Sequence, residues 1–306
     1  MTTTQPQPTF KKLGTVLAER YRELQRRQRN PEAYRPIATG LRDLDAIITG
    51  FPLPSYIAIA GPEKGAKTAT MQHLMSMMSN AERGSSCIFS IEEMLFQWAD
   101  RFFASLTTVE RGKIRDLKLT EEDFAEFKAI YKVMKNQDLA LTSEVLTAEG
   151  IIKESVAKGF RIIGVDGVQL LMDFPRMLEK ERLERISRMF LDARNKYGLT
   201  IITTWQLNEE GKVHGSRQSG KDADLNLKLS PVMDLQDKPV PGRVALNITS
   251  SRISAANDKD IELKFSGAHS RIGNLGTFDV KHGIVALEDE DPKRISADPS
   301  YIQEEL

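Results

Sequence analysis

Cysteine is nearly absent from this sequence, since Cys87 is the single cysteine among 306 residues. One thiol excludes an intramolecular disulfide and a zinc site built from several cysteines. No apolar run reaches the roughly 18 residues that a membrane-spanning helix needs, and residues 1–10 hold no apolar segment like that of a signal peptide. The 20 glycines and 13 prolines are near their usual frequencies, which excludes collagen-like and low-complexity chains. We therefore expect a soluble cytoplasmic protein that does not enter a membrane.

Net charge is also absent, because 43 Lys and Arg residues balance 43 Asp and Glu residues. The total charge therefore gives no sign of a nucleic-acid partner. The charge is unevenly distributed, however. Residues 11–35 hold eight basic and three acidic side chains, whereas residues 288–306 hold two basic and seven acidic ones. A charged terminus is usually only a solvated one, so the basic segment does not by itself identify a nucleic-acid site.

Short apolar strands alternate with helical patterns over most of the chain. Strands are predicted at residues 56–60, 87–90, 139–142, 161–165 and 199–204, with helices at 68–80, 94–105, 121–135, 148–158 and 180–197. This alternation predicts an α/β fold with a mostly parallel sheet that helices cover on both faces. After about Asp224 the pattern becomes hairpin-like, at residues 244–248, 261–265, 276–280 and 283–287. We expect the sheet to continue there with antiparallel strands.

An amphipathic helix is predicted ahead of this alternation, over residues 10–29. Its apolar residues recur every three or four positions, and Asn30-Pro31 ends it. Such a stripe must be buried against its own domain or against a neighbouring subunit. The expected organisation is a disordered leader, a basic helix and a linker in residues 1–36, one domain in residues 37–287, and an acidic tail in residues 288–306.

The most specific motif directly follows the strand predicted at residues 56–60. It consists of Gly61, Pro62, Glu63, Lys64, Gly65, Ala66, Lys67 and Thr68, and matches the phosphate-loop pattern G-x-x-x-x-G-K-[ST] except that Ala66 replaces the second glycine. Such a loop binds phosphates through backbone N–H groups and the lysine, and its hydroxyl binds Mg²⁺. The strand before and the helix after favour this interpretation over a chance Gly/Lys-rich turn.

ATP and Mg²⁺ are therefore the expected cofactors. Ala66 adds a Cβ where the backbone comes closest to the phosphates, and we expect Gly65 beside it to let the loop relax. Asp166 ends a later apolar strand, where a carboxylate is the usual partner of Mg²⁺ in a phosphate-loop enzyme.

Five further segments occur in a recognisable order. They are T-G-L-R-D-L-D at 39–45, F-S-I-E at 89–92, V-D-G-V-Q-L-L at 165–171, W-Q-L-N at 205–208 and K-D-A-D at 221–224. Over roughly residues 38–280 they resemble the RecA-like motor domain of DnaB-type replicative helicases. The resemblance implies a RecA-like phosphate-loop ATPase core. It also implies that Glu92 is the base that positions the attacking water, that Asp166 lies in the Mg²⁺ shell, and that Gln206 senses the γ-phosphate.

The sequence departs from that family at two further places. The family ends a late strand with K-x-R, whose cations reach the nucleotide of the neighbouring subunit. Here Arg252 remains and Ser250 replaces the lysine. An arginine finger contributes about 10³–10⁵ in rate. Because Arg252 is kept, we expect the loss of the accessory lysine to slow ATP turnover more readily than to abolish it. The family's primase-interacting domain is not found before residue 37, and residues 10–29 stand where the family has a linker helix that docks on the adjacent subunit.

A DNA contact is expected in the loop between Gln206 and Asp222. Its candidate residues are Lys212, His214, Gly215, Arg217 and Lys221. The backbone N–H groups and the few cations of such a Gly-rich loop can bind the phosphates of DNA whatever the base sequence. The alternative is a mobile polar surface loop. His214 is not expected to bind metal, because the four histidines and one cysteine show no ligand spacing.

Three functions remain open at this point. The first is an ATP-driven translocase that forms a ring, by resemblance a hexamer, and unwinds DNA during replication, in a bacterial cytoplasm or a phage-infected host. Its partners would be single-stranded DNA, other copies of itself, and a primase, helicase loader or other replisome protein. The second is a degenerate relative that binds nucleotide and DNA as an accessory or loading factor. The third is a recombinase or regulatory ATPase of the wider RecA-like group.

Overall fold

The computed structural model describes residues 10–79, 84–207, 222–255 and 258–275. Within this part of the chain the α-helices are Leu13–Arg29 (α1), Arg42–Ile48 (α2), Lys67–Ser79 (α3), Leu95–Leu106 (α4), Arg111–Arg115 (α5), Glu121–Met134 (α6), Ala148–Lys158 (α7) and Glu179–Tyr197 (α8). The strands there are Tyr56–Gly61 (β1), Ser86–Ser90 (β2), Leu139–Thr142 (β3), Ile162–Asp166 (β4), Thr200–Gln206 (β5), Leu225–Met233 (β6), Pro239–Ser251 (β7), Lys259–Ser266 (β8) and Arg271–Asn274 (β9).

All nine of these strands form one sheet, in the order β3-β2-β4-β5-β1-β6-β7-β8-β9. The six strands from β3 to β6 pair in parallel. The pairs β6–β7, β7–β8 and β8–β9 are antiparallel. The prediction of a mostly parallel sheet with antiparallel strands toward its C-terminal part is confirmed.

Two details of the expected pattern were wrong. The first strand after Asp224, β6, was not expected as a strand; it is parallel to β1, and the antiparallel part begins with β7. The residues of β6 alternate between apolar and polar, a pattern that predicts a strand but not the direction of its neighbour. The short helices α2 and α5 were not expected, because seven and five residues are too few to show a helical period. The strands expected at 276–280 and 283–287, the leader and the acidic tail lie outside the described residues.

Two apolar layers cover the two faces of the sheet. On one face Ile57 and Ile59 of β1 pack with Met71, Met75 and Met78 of α3. On the other face Tyr56 and Ala58 belong to a cluster that includes residues of α7 and α8. Successive residues of β1 thus point to opposite sides, as the twofold period of a strand requires. Met71, Met75 and Met78 are all buried.

Helix α1 stands apart from both layers. It begins at Leu13 rather than Phe10 and contains no buried residue. Its apolar stripe is exposed at Leu13, Leu17 and Tyr21. Burial on its own domain, one of the two expected ways to cover this stripe, therefore does not occur among the described residues. None of the described helices has the length and apolar character needed to cross a lipid bilayer.

Candidate functional site

The phosphate loop connects the carboxyl end of β1 to the first turn of α3, as its sequence predicted. The Nζ of Lys67 donates a hydrogen bond to the carbonyl of Pro62 at 2.6 Å, so the lysine lies over its own loop. Burial lowers the pKa of Lys67, while the charges of Glu92 and Asp166 oppose that shift. A side chain on Gly65 would place its Cβ 2.8 Å from the Cδ and the carbonyl oxygen of Pro62. Position 65 therefore has no room for a Cβ, and glycine is the residue that fits there.

Ala66 has the backbone conformation that a glycine would adopt most easily. Its φ is +65°, in the left-handed region, where a Cβ costs roughly 1–2 kcal/mol. Gly65 does not share this positive φ, and its role in relaxing the loop stays a prediction. The strain remains at Ala66, whose carbonyl accepts the Thr70 side chain at 2.9 Å at the start of α3.

Asp166 ends β4 and lies beside the loop, with a relative exposure of 1%. Its Oδ2 accepts a hydrogen bond from Thr68 Oγ1 at 3.0 Å, and its Oδ1 accepts one from Thr204 Oγ1 at 2.7 Å. Burial raises the pKa of Asp166 to about 6; the two hydroxyl bonds oppose this shift, and the charges of Glu92 and Glu93 add to it. The Thr68 hydroxyl and the Asp166 carboxylate are hard oxygen donors, the chemistry that Mg²⁺ prefers.

Two adjacent carboxylates follow β2, and their surroundings differ. Glu93 forms an ion pair with Arg101, whose Nε lies 2.6 Å from Oε2 and whose Nη2 bonds Oε1. Glu92 is exposed. A Cβ built on Gly167 would lie 3.4 Å from the Cβ of Glu92, so Glu92 lies next to the end of β4. Of the two, Glu92 is the one whose charge acts on both Lys67 and Asp166.

Gln206 lies at the end of β5, directly opposite Gly61 in the ladder between β1 and β5. Its side chain is exposed, and its carbonyl accepts a hydrogen bond from Gln169 Nε2 at 3.4 Å. Leu207 then donates its backbone N–H to the carbonyl of Gly61 at 3.0 Å. The structure thus brings Gln206, Glu92 and Asp166 to the phosphate loop, at the carboxyl edge where ligands bind in parallel sheets.

Arg252 lies near the amino ends of the parallel strands, whereas the phosphate loop lies at their carboxyl ends. Its backbone N–H bonds the carbonyl of Asp224 at 2.7 Å, and Asp224 in turn bonds the carbonyl of Tyr56, where β1 begins. Gly61 is five residues further along β1, or about 16 Å at the usual rise of a strand. Ser250, at the same end, accepts a hydrogen bond from Asn226 Nδ2 at 2.7 Å. The structure does not bring Arg252 to its own phosphate loop.

The candidate DNA-contacting residues Lys212, His214, Gly215, Arg217 and Lys221 lie outside the described residues. Asp224, just before β6, is a buried residue whose carboxylate accepts the N–H of Tyr56 at 2.9 Å and pairs with Arg194 at 3.1 Å, so it anchors the start of β6. Sequence reasoning missed this anchoring role. It also missed Thr204. A signal was present, because Thr203 and Thr204 interrupt an apolar strand with two polar residues just before Trp205.

The chain is similar in sequence to replicative DNA helicases. The profile of the DnaB-like helicase C-terminal domain matches residues 36–225. Replicative DNA helicase DnaB of Haemophilus influenzae is 26% identical over 262 residues, which cover 78% of this chain and 55% of that protein. The DnaB of Buchnera aphidicola subsp. Schizaphis graminum is 30% identical over 211 residues, 62% of this chain and 45% of the relative. The DnaB of Nostoc sp. is 21% identical over 217 residues, which cover 68% of this chain and 24% of that protein. The chain spans between 24% and 55% of the length of these curated relatives.

The fold is similar to that of two solved structures. The ATPase domain of G40P superposes with a TM-score of 0.74 at 17% identity, covering 87% of this chain and all of that one. A DnaB-like replicative helicase, described with its interactions with primase, superposes with a TM-score of 0.72 at 18% identity, covering 87% of this chain and 68% of that one. At these identities the likeness concerns the fold, and it confirms the predicted RecA-like core.

Proposed function

The chain belongs to the DnaB-like helicase C-terminal domain family, and on that premise we propose that it is an ATP-driven DNA helicase of replication that works as a ring. The observation that carries the proposal is the set of four groups at one edge of the sheet. The phosphate loop, Glu92, Asp166 and Gln206 come from four different strand ends and lie next to one another. This is the arrangement that phosphoryl transfer to water requires.

In this proposal the backbone of residues 61–68 and the Nζ of Lys67 bind the phosphates of ATP. Thr68 and Asp166 would hold Mg²⁺, which neutralises charge on the β- and γ-phosphates when it is bound. Glu92 accepts the proton of the attacking water, as a general base that is exposed and whose charge acts on Lys67 of the loop. Gln206 contacts the γ-phosphate and is the last residue of β5 before the proposed DNA loop begins.

In the proposed ring, Arg252 serves a neighbouring subunit. Because this residue lies at the edge of the sheet opposite to its own phosphate loop, we assign it to the nucleotide of a neighbouring subunit. Helix α1, with its exposed stripe, would dock on that neighbour and hold the ring together. The proposed organisation is residues 1–36 as docking arm, 37–287 as motor and 288–306 as acidic tail, with six subunits by analogy with the family.

Single-stranded DNA is the proposed substrate. We assign its contact to Lys212, His214, Gly215, Arg217 and Lys221, which follow Gln206 in the chain. Contacts to phosphates alone predict binding without sequence preference and with a steep dependence on salt, about 0.7 log units per log unit of salt for each phosphate neutralised. A primase or a helicase loader is a further proposed partner, and the cytoplasm is the proposed location.

A second function is supported by two specific observations. Ala66 keeps a strained left-handed backbone in the phosphate loop. Ser250 occupies the position of the family's accessory lysine and bonds Asn226 instead. A chain with these changes could bind nucleotide and DNA as an accessory or loading factor without unwinding.

Unwinding of a forked DNA substrate tests the proposal and separates the two functions. The parent chain is expected to displace the strand with ATP and Mg²⁺. Lys67→Ala is expected to bind no ATP and displace nothing, while its circular dichroism spectrum stays that of the parent. A parent chain that binds ATP and single-stranded DNA but displaces no strand would favour the accessory function. A parent chain that does not bind ATP would overturn both.

A further inference from the structure

Thr204 contacts Asp166 on the buried side of its carboxylate. It lies in β5 with a relative exposure of 2%. Its Oγ1 is 2.7 Å from Asp166 Oδ1, and it is also 2.8 Å from the backbone nitrogen of Gly167. The ladder between β4 and β5 pairs Val165 with Thr203, which places Asp166 and Thr204 side by side at the ends of their strands.

These two contacts determine the direction of the Thr204 hydroxyl. A hydroxyl has one hydrogen to donate and can accept others. The N–H of Gly167 can only donate, so Thr204 Oγ1 is the acceptor in that bond. Its single hydrogen is then directed at Asp166. Each oxygen of the carboxylate consequently has one hydroxyl partner, Thr204 at Oδ1 and Thr68 at Oδ2.

The two hydroxyl partners are held differently. Thr68 lies in the first turn of α3, where its hydroxyl is also the group proposed to bind Mg²⁺. Thr204 lies in a strand that pairs with β1 on one side and β4 on the other, so its backbone is fixed by two ladders. If Thr68 bound a metal ion, the bond from Thr204 would therefore still hold Asp166. Partners that hold a ligating carboxylate by its other atoms usually set metal affinity as strongly as some of the ligands do.

We propose that Thr204 is a positioning residue, which holds Asp166 by Oδ1 so that Oδ2 faces Thr68 and the Mg²⁺ of a bound nucleotide. This inference rests on the proposed ATPase function and adds to it a residue that no sequence motif marks. Thr204 touches neither nucleotide nor metal in this account. It acts only through the orientation of Asp166.

Nucleotide binding measured with and without metal tests the proposal. ADP affinity of the full chain is measured by calorimetry in Mg²⁺ and in EDTA, for the parent, Thr204→Val, Thr204→Ser and Thr203→Val. Valine keeps the shape of threonine and loses the hydroxyl, whereas serine keeps the hydroxyl. Thr203 is the matched control, because it points to the other face of the same strand and its hydroxyl accepts the indole N–H of Trp205 at 2.7 Å.

In Thr204→Val, the strengthening of ADP binding by Mg²⁺ is expected to fall about 10- to 100-fold, with the affinity in EDTA unchanged. Thr204→Ser and Thr203→Val are expected to keep the parent's ratio. Equal ratios in Thr204→Val and the parent would overturn the inference and leave the proposed function standing. An equal loss in Thr203→Val would also overturn it, since loss of packing would then be the cause. A parent that binds no ADP would overturn the proposed function and this inference with it. If Thr204→Val does not fold, Thr204→Ala replaces it, with space for a water molecule at the Gly167 N–H.

Discussion

The hydroxyl of Thr68 lies 3.0 Å from a carboxylate oxygen of Asp166, although 98 residues separate the two in the chain. One residue closes the phosphate loop and the other ends β4, two strands away from β1 in the sheet. Their contact joins the two groups that the proposal assigns to Mg²⁺. It also buries a carboxylate whose hydrogen-bond partners among the described residues are two hydroxyl groups, and this burial has a measurable effect on stability.

Removing the charge of Asp166 should change how stability depends on pH. Burial raises the pKa of Asp166 to about 6 in the folded chain, compared with roughly 3.9 for an unfolded chain. The folded state then binds the proton more tightly, so stability falls as pH rises from about 4 to 6, by up to roughly 3 kcal/mol. Asp166→Asn should lose this dependence and be more stable than the parent at pH 8. Urea unfolding in EDTA between pH 4 and pH 8 measures both; identical profiles for the two proteins would contradict the burial of a charged group here.

Ala66→Gly should stabilise the chain and strengthen its nucleotide binding. Glycine adopts a φ of +65° without the cost of a Cβ, so the free energy of unfolding should rise by about 1 kcal/mol. Gly65→Ala is the opposite control, because its Cβ would lie 2.8 Å from Pro62, and it should destabilise the chain. Thermal unfolding and ADP calorimetry measure both variants. A destabilised Ala66→Gly would mean that the packing of the Ala66 methyl group outweighs its backbone strain.

The sequence predicted most of the fold because the central strands are continuous apolar runs. The strands at 56–60 and 87–90 agree with β1 and β2 to within one residue at each end. The phosphate loop was found in the same way, since its residues are adjacent in the chain. Thr204 was not found, because its partner Asp166 is determined by which strands are neighbours and in what register. Strand β6 was not predicted, and its parallel pairing with β1 likewise depends on which strands are neighbours.

Arg252 should complete the active site of another subunit. Glu92→Gln is expected to bind ATP and hydrolyse it slowly, because the amide cannot accept the proton of water. Arg252→Ala is expected to lose about 10³-fold or more in turnover for lack of the cation. A mixture of the two inactive variants should recover part of the parent's ATPase rate, since some interfaces then combine an intact Glu92 with an intact Arg252. No recovery at any mixing ratio would argue that Arg252 has a structural role within its own subunit.

Removing residues 1–35 should convert an oligomer into monomers. Helix α1 has no buried residue, and its stripe has no partner among the described residues. Light scattering coupled to gel filtration gives the mass of each species. Leu17→Asp, in the stripe, should weaken assembly, whereas Thr15→Asp, on the opposite side of α1, adds the same charge and should not. Equal masses for the parent and the shortened chain would exclude the docking role.

The measurement that tests the account most directly is the ATPase rate with and without single-stranded DNA. If Gln206 connects the phosphate loop to a DNA-contacting segment, single-stranded DNA should raise the rate of the parent chain several-fold, without preference for its sequence and less so at high salt. Lys67→Ala should show no turnover in either condition, which verifies that the activity belongs to this loop. A parent chain whose ATP turnover is the same with and without single-stranded DNA would contradict the assignment of this fold to a DNA motor.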